Sequence, residues 1–192
     1  MNILFVNACV RPQSRTRKLA QAVLDRLSGS ITEVDLNAEK IKPMDLDILE
    51  KRNALGESGE FSDPIFAYAK TFAEADTVVI AAPYWDLSFP ASLKAYLEAV
   101  TVLGVTFRYS PEGFPVSLCR ANKLVYVATS GGPMKGMNYG YEYVKALASA
   151  FFGIKEFGFY CAENLDVVGV DAEAVLSKAI YTINNEAIAE HE

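Results

Sequence analysis

Three loop-like stretches carry the residues whose types and spacing could do chemistry. The first is Asn7-Ala8-Cys9-Val10-Arg11-Pro12-Gln13-Ser14-Arg15-Thr16, which sets a thiol, two hydroxyls and two arginines just ahead of a helical pattern. Hydroxyls at a helix start lie beside free backbone N–H groups and the positive end of the macrodipole, an arrangement that binds phosphate. Ser14 also suits a plain helix cap. The second stretch is Ala82-Pro83-Tyr84-Trp85-Asp86-Leu87-Ser88-Phe89-Pro90. Adjacent aromatics and two prolines make a stiff apolar turn, against which a flat ring could lie while backbone N–H groups bond its edge. The only tryptophan of a domain also suits plain packing, and Asp86 suits a cap for the next helix. The third stretch runs from Thr129 to Tyr141 and contains Ser130, Gly131, Gly132, Gly136 and Gly140, so the backbone can approach a ligand closely.

Other chemistries lack their groups. The single histidine, His191, is the penultimate residue, which leaves Ser-His-Asp, Cys-His and His-ligated metal sites without their imidazole. Cys9, Cys119 and Cys161 are scattered, odd in number and without a C-x-x-C, as reduced cytoplasmic thiols are; no metal site is expected. A net charge of −6 argues against nucleic acid or anionic lipid as partner, since both need clustered Lys and Arg. No apolar run approaches the roughly 18 residues that span a bilayer.

The elements that must position these loops follow from the apolar pattern. Ile3–Val6, Thr77–Ala82 and Leu124–Thr129 are short runs without alternation, suited to central strands covered on both faces. Weaker strands are expected at Ile31–Leu36, as an edge, and at Phe157–Cys161. Helical stripes fill the gaps: Leu19, Val23 and Leu27 behind Ser14; Ile65, Tyr68 and Phe72 behind Asp63-Pro64; Leu93, Tyr96, Leu97 and Val100 behind Pro90. Two more carry Val144, Leu147, Ala148 and Phe151, stopped by Gly153, and Val175, Leu176, Ile180 and Ile183, opened by Asp171. Such alternation predicts an α/β three-layer sandwich, flavodoxin-like, with a five-stranded parallel sheet in the order 2-1-3-4-5 and one domain over residues 1–192. Asn37–Glu60 reads as a polar surface excursion with room for one helical turn. In this architecture ligands bind beyond the carboxyl ends of the strands at the switch point, where the three loops meet.

Two families share these motifs. Cys9-x5-Arg15-Thr16 matches C-x5-R-[ST], the phosphate loop of protein tyrosine phosphatases, in which a low-pKa thiolate attacks phosphorus. Pro12 removes a donor such a loop needs, and the one Asp-Pro, Asp63-Pro64, lies mid-chain rather than late. The block from Ala82 to Tyr96 instead resembles the second flavin loop and following helix of the FMN-dependent NADH azoreductase and NAD(P)H quinone dehydrogenase family. Gly104-Val105-Thr106-Phe107-Arg108-Tyr109 and Thr129-Ser130-Gly131-Gly132 extend the similarity, as does Ser14-Arg15-Thr16.

That resemblance implies FMN in a homodimer, with Cys9, Ser14, Arg15 and Thr16 around the phosphate. It implies Pro83, Tyr84, Trp85, Asp86 and Leu87 along the ring, and Ser130, Gly131 and Gly132 at its edge. Trp85 and Phe107 are the expected substrate contacts, with plain core packing suiting Phe107 equally. The implied reaction is hydride transfer from NADH or NADPH through FMN to a quinone or azo compound, with no catalytic acid or base from the protein. Arg11, Arg15 and Arg17 suit a 2′-phosphate or solvent equally, so both nucleotides fit. Asp86 stands where the family often has Asn, so no side-chain amide bond to flavin is carried over. The rivals are a flavodoxin-type electron carrier and the low-molecular-weight phosphatase.

Overall fold

The computed structural model describes residues 1–185, so His191 lies outside the described residues. The three apolar runs become β1 (Asn2–Asn7), β3 (Thr77–Ala81) and β6 (Lys123–Thr129), and nearly every residue in them is buried. β2 (Ser30–Asp35) and β7 (Glu156–Ala162) flank them. All five pair in parallel in the order β2-β1-β3-β6-β7, the expected topology. Register is tight across the centre, with Val6 beside Ile80 and Ile80 beside Tyr126.

Side chains alternate between two core layers, as a period of two requires. Leu4, Val6, Val78, Ile80 and Tyr126 face α2 (Leu36–Glu39), α4 (Ala67–Glu74), α5 (Ala91–Val100) and α6 (Tyr139–Phe152), where they meet Leu36, Phe72, Tyr96 and Phe152. Ile3, Phe5, Val79, Val125 and Val127 face α1 (Arg15–Leu24) and α7 (Ala172–Asn185), against Leu19, Val23, Leu176 and Ile183. Each large side chain so buried contributes about 1.5–3 kcal/mol, which fixes the sheet on which the loops sit.

Helix starts follow local chemistry. Ser14 caps α1 by accepting from the Arg17 N–H, and the Asp171 carboxylate accepts from Glu173 and Ala174 at the start of α7. Gly153 ends α6 in the left-handed region at φ 66°. Behind Asp63, Pro64–Phe66 form a 3-10 turn before α4 begins.

Two expectations are corrected. Residues 37–60 hold more helix than one turn: α3 runs thirteen residues from Leu46 to Ser58, held by the Asp45 cap and ended by Gly59 at φ 74°. None of its residues is fully buried, so it lies on the surface without the apolar stripe that would have revealed it. Asp86 does not cap α5; Pro90 occupies that position with no side-chain cap. Phe107 belongs to a separate hairpin, β4 (Phe107–Tyr109) with antiparallel β5 (Pro115–Ser117), where its buried ring meets Tyr109 and Phe151 edge-on at 5.4 and 4.9 Å.

Candidate cofactor-binding site

β1, β3 and β6 all end on one edge of the sheet, and the chain after each feeds one wall of a single cavity. Its lining comes from Val10, Arg11 and Gln13–Thr16, from Pro83–Trp85, and from Thr129–Gly131 with Asp166. The enclosed volume is about 180 Å³, open on one side.

The first wall is pinned from below. Asn7 is buried; its amide donates to Glu33 Oε1 at 2.9 Å while its Oδ1 accepts from the Cys9 N–H at 3.0 Å. The Ala8 N–H reaches across to Ala81 O at 2.9 Å. At the start of α1, Ser14 takes Arg17 N–H on its hydroxyl and Lys18 N–H on its carbonyl. Those bonds leave the N–H groups of Arg15 and Thr16 as the first turn's donors to a ligand, at the positive end of the helix. Thr16 is buried, and its hydroxyl meets that of Thr129 at 2.6 Å, so one proton of that pair is free for a further acceptor. The donor set fits a phosphate dianion.

The second wall is flatter and more exposed. Ala82 and Tyr84 N–H groups bond β6 at Val127 O and Thr129 O, at 2.9 and 3.0 Å. Trp85 and Ser88 exchange two backbone bonds around Asp86 and Leu87, which both adopt left-handed backbone at φ 50° and 66°. Two such residues between a paired flank are a type I′ turn, which turns the second loop back sharply. Trp85 is 44% exposed and Leu87 42%, so aromatic and aliphatic surface faces outward beside the cavity. The Tyr84 hydroxyl donates to Met137 O at 2.8 Å and ties this loop to the third.

The third wall is Thr129–Gly131, with the buried Ser130 hydroxyl donating to Gly132 O at 2.6 Å. The Ser130 N–H bonds Ala162 O at the end of β7. A Cβ on Gly131 would lie 2.5 Å from Asp166 Oδ2, so glycine lets the following loop sit directly on this one.

Of the residues singled out in the sequence, the cavity brings together Ser14, Arg15, Thr16, Pro83, Tyr84, Trp85, Ser130 and Gly131. Cys9, Asp86, Leu87 and Gly132 lie in the same loops but off the lining, and Phe107 lies in its hairpin. The phosphatase reading fails on Cys9. Its side chain is buried with Sγ 3.9 Å from Ala81 O, and burial pushes the thiol up, against smaller downward pulls from Ser14 and Arg17. A nucleophilic thiolate needs the opposite shift. Arg15 is also turned to Leu165 O and Asp166, both at 2.7 Å.

Sequence reasoning missed Asp166. The rule that pointed to strand ends applies to it too, because it follows the carboxyl end of β7. Only the pairing with Arg15, 151 positions away, gives it meaning.

Fold and cavity together define a class: a doubly wound α/β domain that holds a phosphate-bearing flat ligand at its switch point. The chain belongs to the flavodoxin-like family of FMN-dependent NADH:quinone oxidoreductases and azoreductases, matching the flavodoxin-like fold over residues 1–186. The FMN-dependent NADH:quinone oxidoreductase 2 of Clostridium acetobutylicum is 35% identical over 198 residues, covering 96% of this chain and 97% of that protein. The FMN-dependent NADH:quinone oxidoreductase of Clostridium beijerinckii is 35% identical over 187 residues, covering 93% of each. The crystal structure of an azoreductase from Bacillus anthracis superposes with a TM-score of 0.79 at 27% identity, covering 97% of this chain and all of that one.

Proposed function

We propose that this single-domain protein is an FMN-dependent oxidoreductase that passes hydride from NADH to quinones and azo compounds in two half-reactions. The observation that carries this is the cavity itself, with phosphate-type donors at one end and a flat aromatic wall at the other, joined by a glycine-bearing third wall. Relatives over nearly the whole length are named for that activity.

The chain's own part is binding and orientation. The Arg15 and Thr16 N–H groups and the Ser14 hydroxyl hold the phosphate, while Tyr84 and Trp85 flank the ring. Backbone N–H groups of Gly131 and Gly132 at the ring edge stabilise negative charge that collects there. When bound, FMN supplies the hydride-accepting centre; the protein needs no acid or base of its own. Trp85, partly exposed beside the cavity mouth, offers a stacking face for nicotinamide and acceptor in turn.

A homodimer fits the apolar residues left exposed on this monomer, among them Leu103, Tyr109, Phe114 and Tyr139. No helix among the described residues is long and apolar enough to cross a membrane, and all three cysteines are free thiols, which together support a cytoplasmic site of action. NADPH is a second candidate donor on the strength of exposed Arg11 at the cavity.

Anaerobic titration tests the reading. Protein reconstituted with FMN should turn yellow, bleach on NADH, and recover its colour when a quinone is added. A colourless protein that takes up no added FMN overturns it, and a yellow one that NADH does not bleach returns the electron-carrier alternative.

A further inference from the structure

A carboxylate on the wall of an anion site calls for an explanation, because its charge repels the ligand. Asp166 is such a group: it lines the phosphate end of the cavity, two-thirds exposed, with its Oδ1 accepting from Arg15 at 2.7 Å. An ion pair this open to water adds little to folding. Its surroundings are nevertheless tightly built. The Asp166 N–H bonds Gly131 O at 2.9 Å, the Leu165 N–H bonds Ser130 O at 3.1 Å, and Glu163 Oε2 accepts from Met134 N–H at 2.9 Å. The same guanidinium also donates to Leu165 O at 2.7 Å. Thus the loop after β7 is stitched to the third wall by backbone bonds, and Arg15 ties it to the start of α1.

We infer that Asp166 is a positioning residue for phosphate recognition: with Leu165 O it fixes the Arg15 guanidinium on the cavity wall. A guanidinium carries five N–H donors. Two are spent on Leu165 and Asp166, which sets the plane of the fork and leaves the others for a phosphate oxygen. Lysine could not hold two fixed acceptors and still present a donor fork to a third. The clasp therefore couples the phosphate end to the third wall, so that one ligand group reads both. This inference rests on the FMN reading of the same cavity.

Dissociation constants of FMN and riboflavin, measured by fluorescence titration of the apoprotein, test it. Asp166→Ala should weaken FMN about tenfold and leave riboflavin, which lacks the phosphate, essentially unchanged. Arg15→Ala should weaken FMN at least as much, and the double variant should be no worse than Arg15→Ala alone. Asp166→Asn keeps an acceptor for Arg15 and should recover most of the affinity. Equal weakening of both flavins, or additive single losses, makes the residue merely structural and overturns the inference. Unchanged FMN binding in Asp166→Ala overturns it while sparing the cofactor reading; a wild-type protein that binds neither flavin overturns both.

Discussion

The two ends of the cavity are built on opposite principles. At the phosphate end, Asn7, Ser14, Thr16, Thr129 and Ser130 are all buried polar residues, and almost every polar atom has a partner inside the protein. At the ring end, Trp85 and Leu87 are exposed and the turn from Trp85 to Ser88 holds two non-glycine residues, Asp86 and Leu87, in left-handed backbone. A buried, bonded end is costly to disturb and recognises one fixed chemical group. An open end with strain admits ligands of different shape, which is what a site serving a nucleotide and then an acceptor requires. The contrast predicts that mutations at the two ends will differ in sign and in what they change.

The largest effect belongs to the phosphate end. Thr16→Val removes one partner of the buried 2.6 Å hydroxyl pair and strands Thr129 without it. A buried polar group left unsatisfied costs about 1–3 kcal/mol, so the urea midpoint should fall and FMN binding should weaken with it. A variant as stable as the parent would break the contrast.

Alkaline pH presses on two thiols, buried Cys9 at the same end and half-buried Cys119 just after β5. Burial raises Cys9 above its ordinary value of 9.0, and raises Cys119 to about 12. Such thiols ionise in the unfolded chain before the folded one, so the folded state binds more protons in that window. Stability should hold below pH 9 and fall as pH climbs above it towards the folded-state values. Urea midpoints across that range would show the slope, and Cys9→Ala should flatten part of it without abolishing FMN binding. Loss of FMN binding would return Cys9 to the site.

How much of this was legible in the sequence depended on the kind of force involved. The sheet was legible because β1, β3 and β6 are buried on both faces, which forces continuous apolar runs. Ser14, Tyr84 and Gly131 were legible because a cap, an aromatic pair and a close backbone approach each leave a local mark. Helix α3 left none: with no buried face, its caps Asp45 and Gly59 were the only sign. Asp166 was invisible for another reason, since its role exists only through Arg15 and the strand ends that bring them together. Phe107 stayed open between two roles, because an aromatic in a family-like segment looks the same whether it meets a substrate or packs on Phe151.

At the ring end, Trp85 separates stability from function. Its indole is 44% exposed, so Trp85→Ala should move stability by less than about 0.5 kcal/mol. An aromatic contact with the acceptor is worth about 0.5–1.5 kcal/mol, so KM for a quinone should rise about two- to tenfold. As the chain's one tryptophan, it also reports directly: FMN should quench its emission in the parent protein. Emission indifferent to bound FMN would place the ring elsewhere.

The smallest effect has the opposite sign. Leu87 sits at φ 66° in a turn that prefers glycine there, following an Asp that tolerates the left-handed region better. Holding a leucine in that region costs about 1–2 kcal/mol. Against this, glycine frees the unfolded chain and gives back about 0.5–1 kcal/mol. Leu87 is 42% exposed, so little burial is lost with its side chain. Leu87→Gly should therefore raise stability, read from the urea midpoint, by at most about 1.5 kcal/mol, where Thr16→Val lowers it. If the side chain also meets the acceptor, the same variant gains stability and loses KM, the trade expected of strain kept for function. A Leu87→Gly protein less stable than its parent would mean that the ring end is packed like the phosphate end, and the contrast between them would be gone.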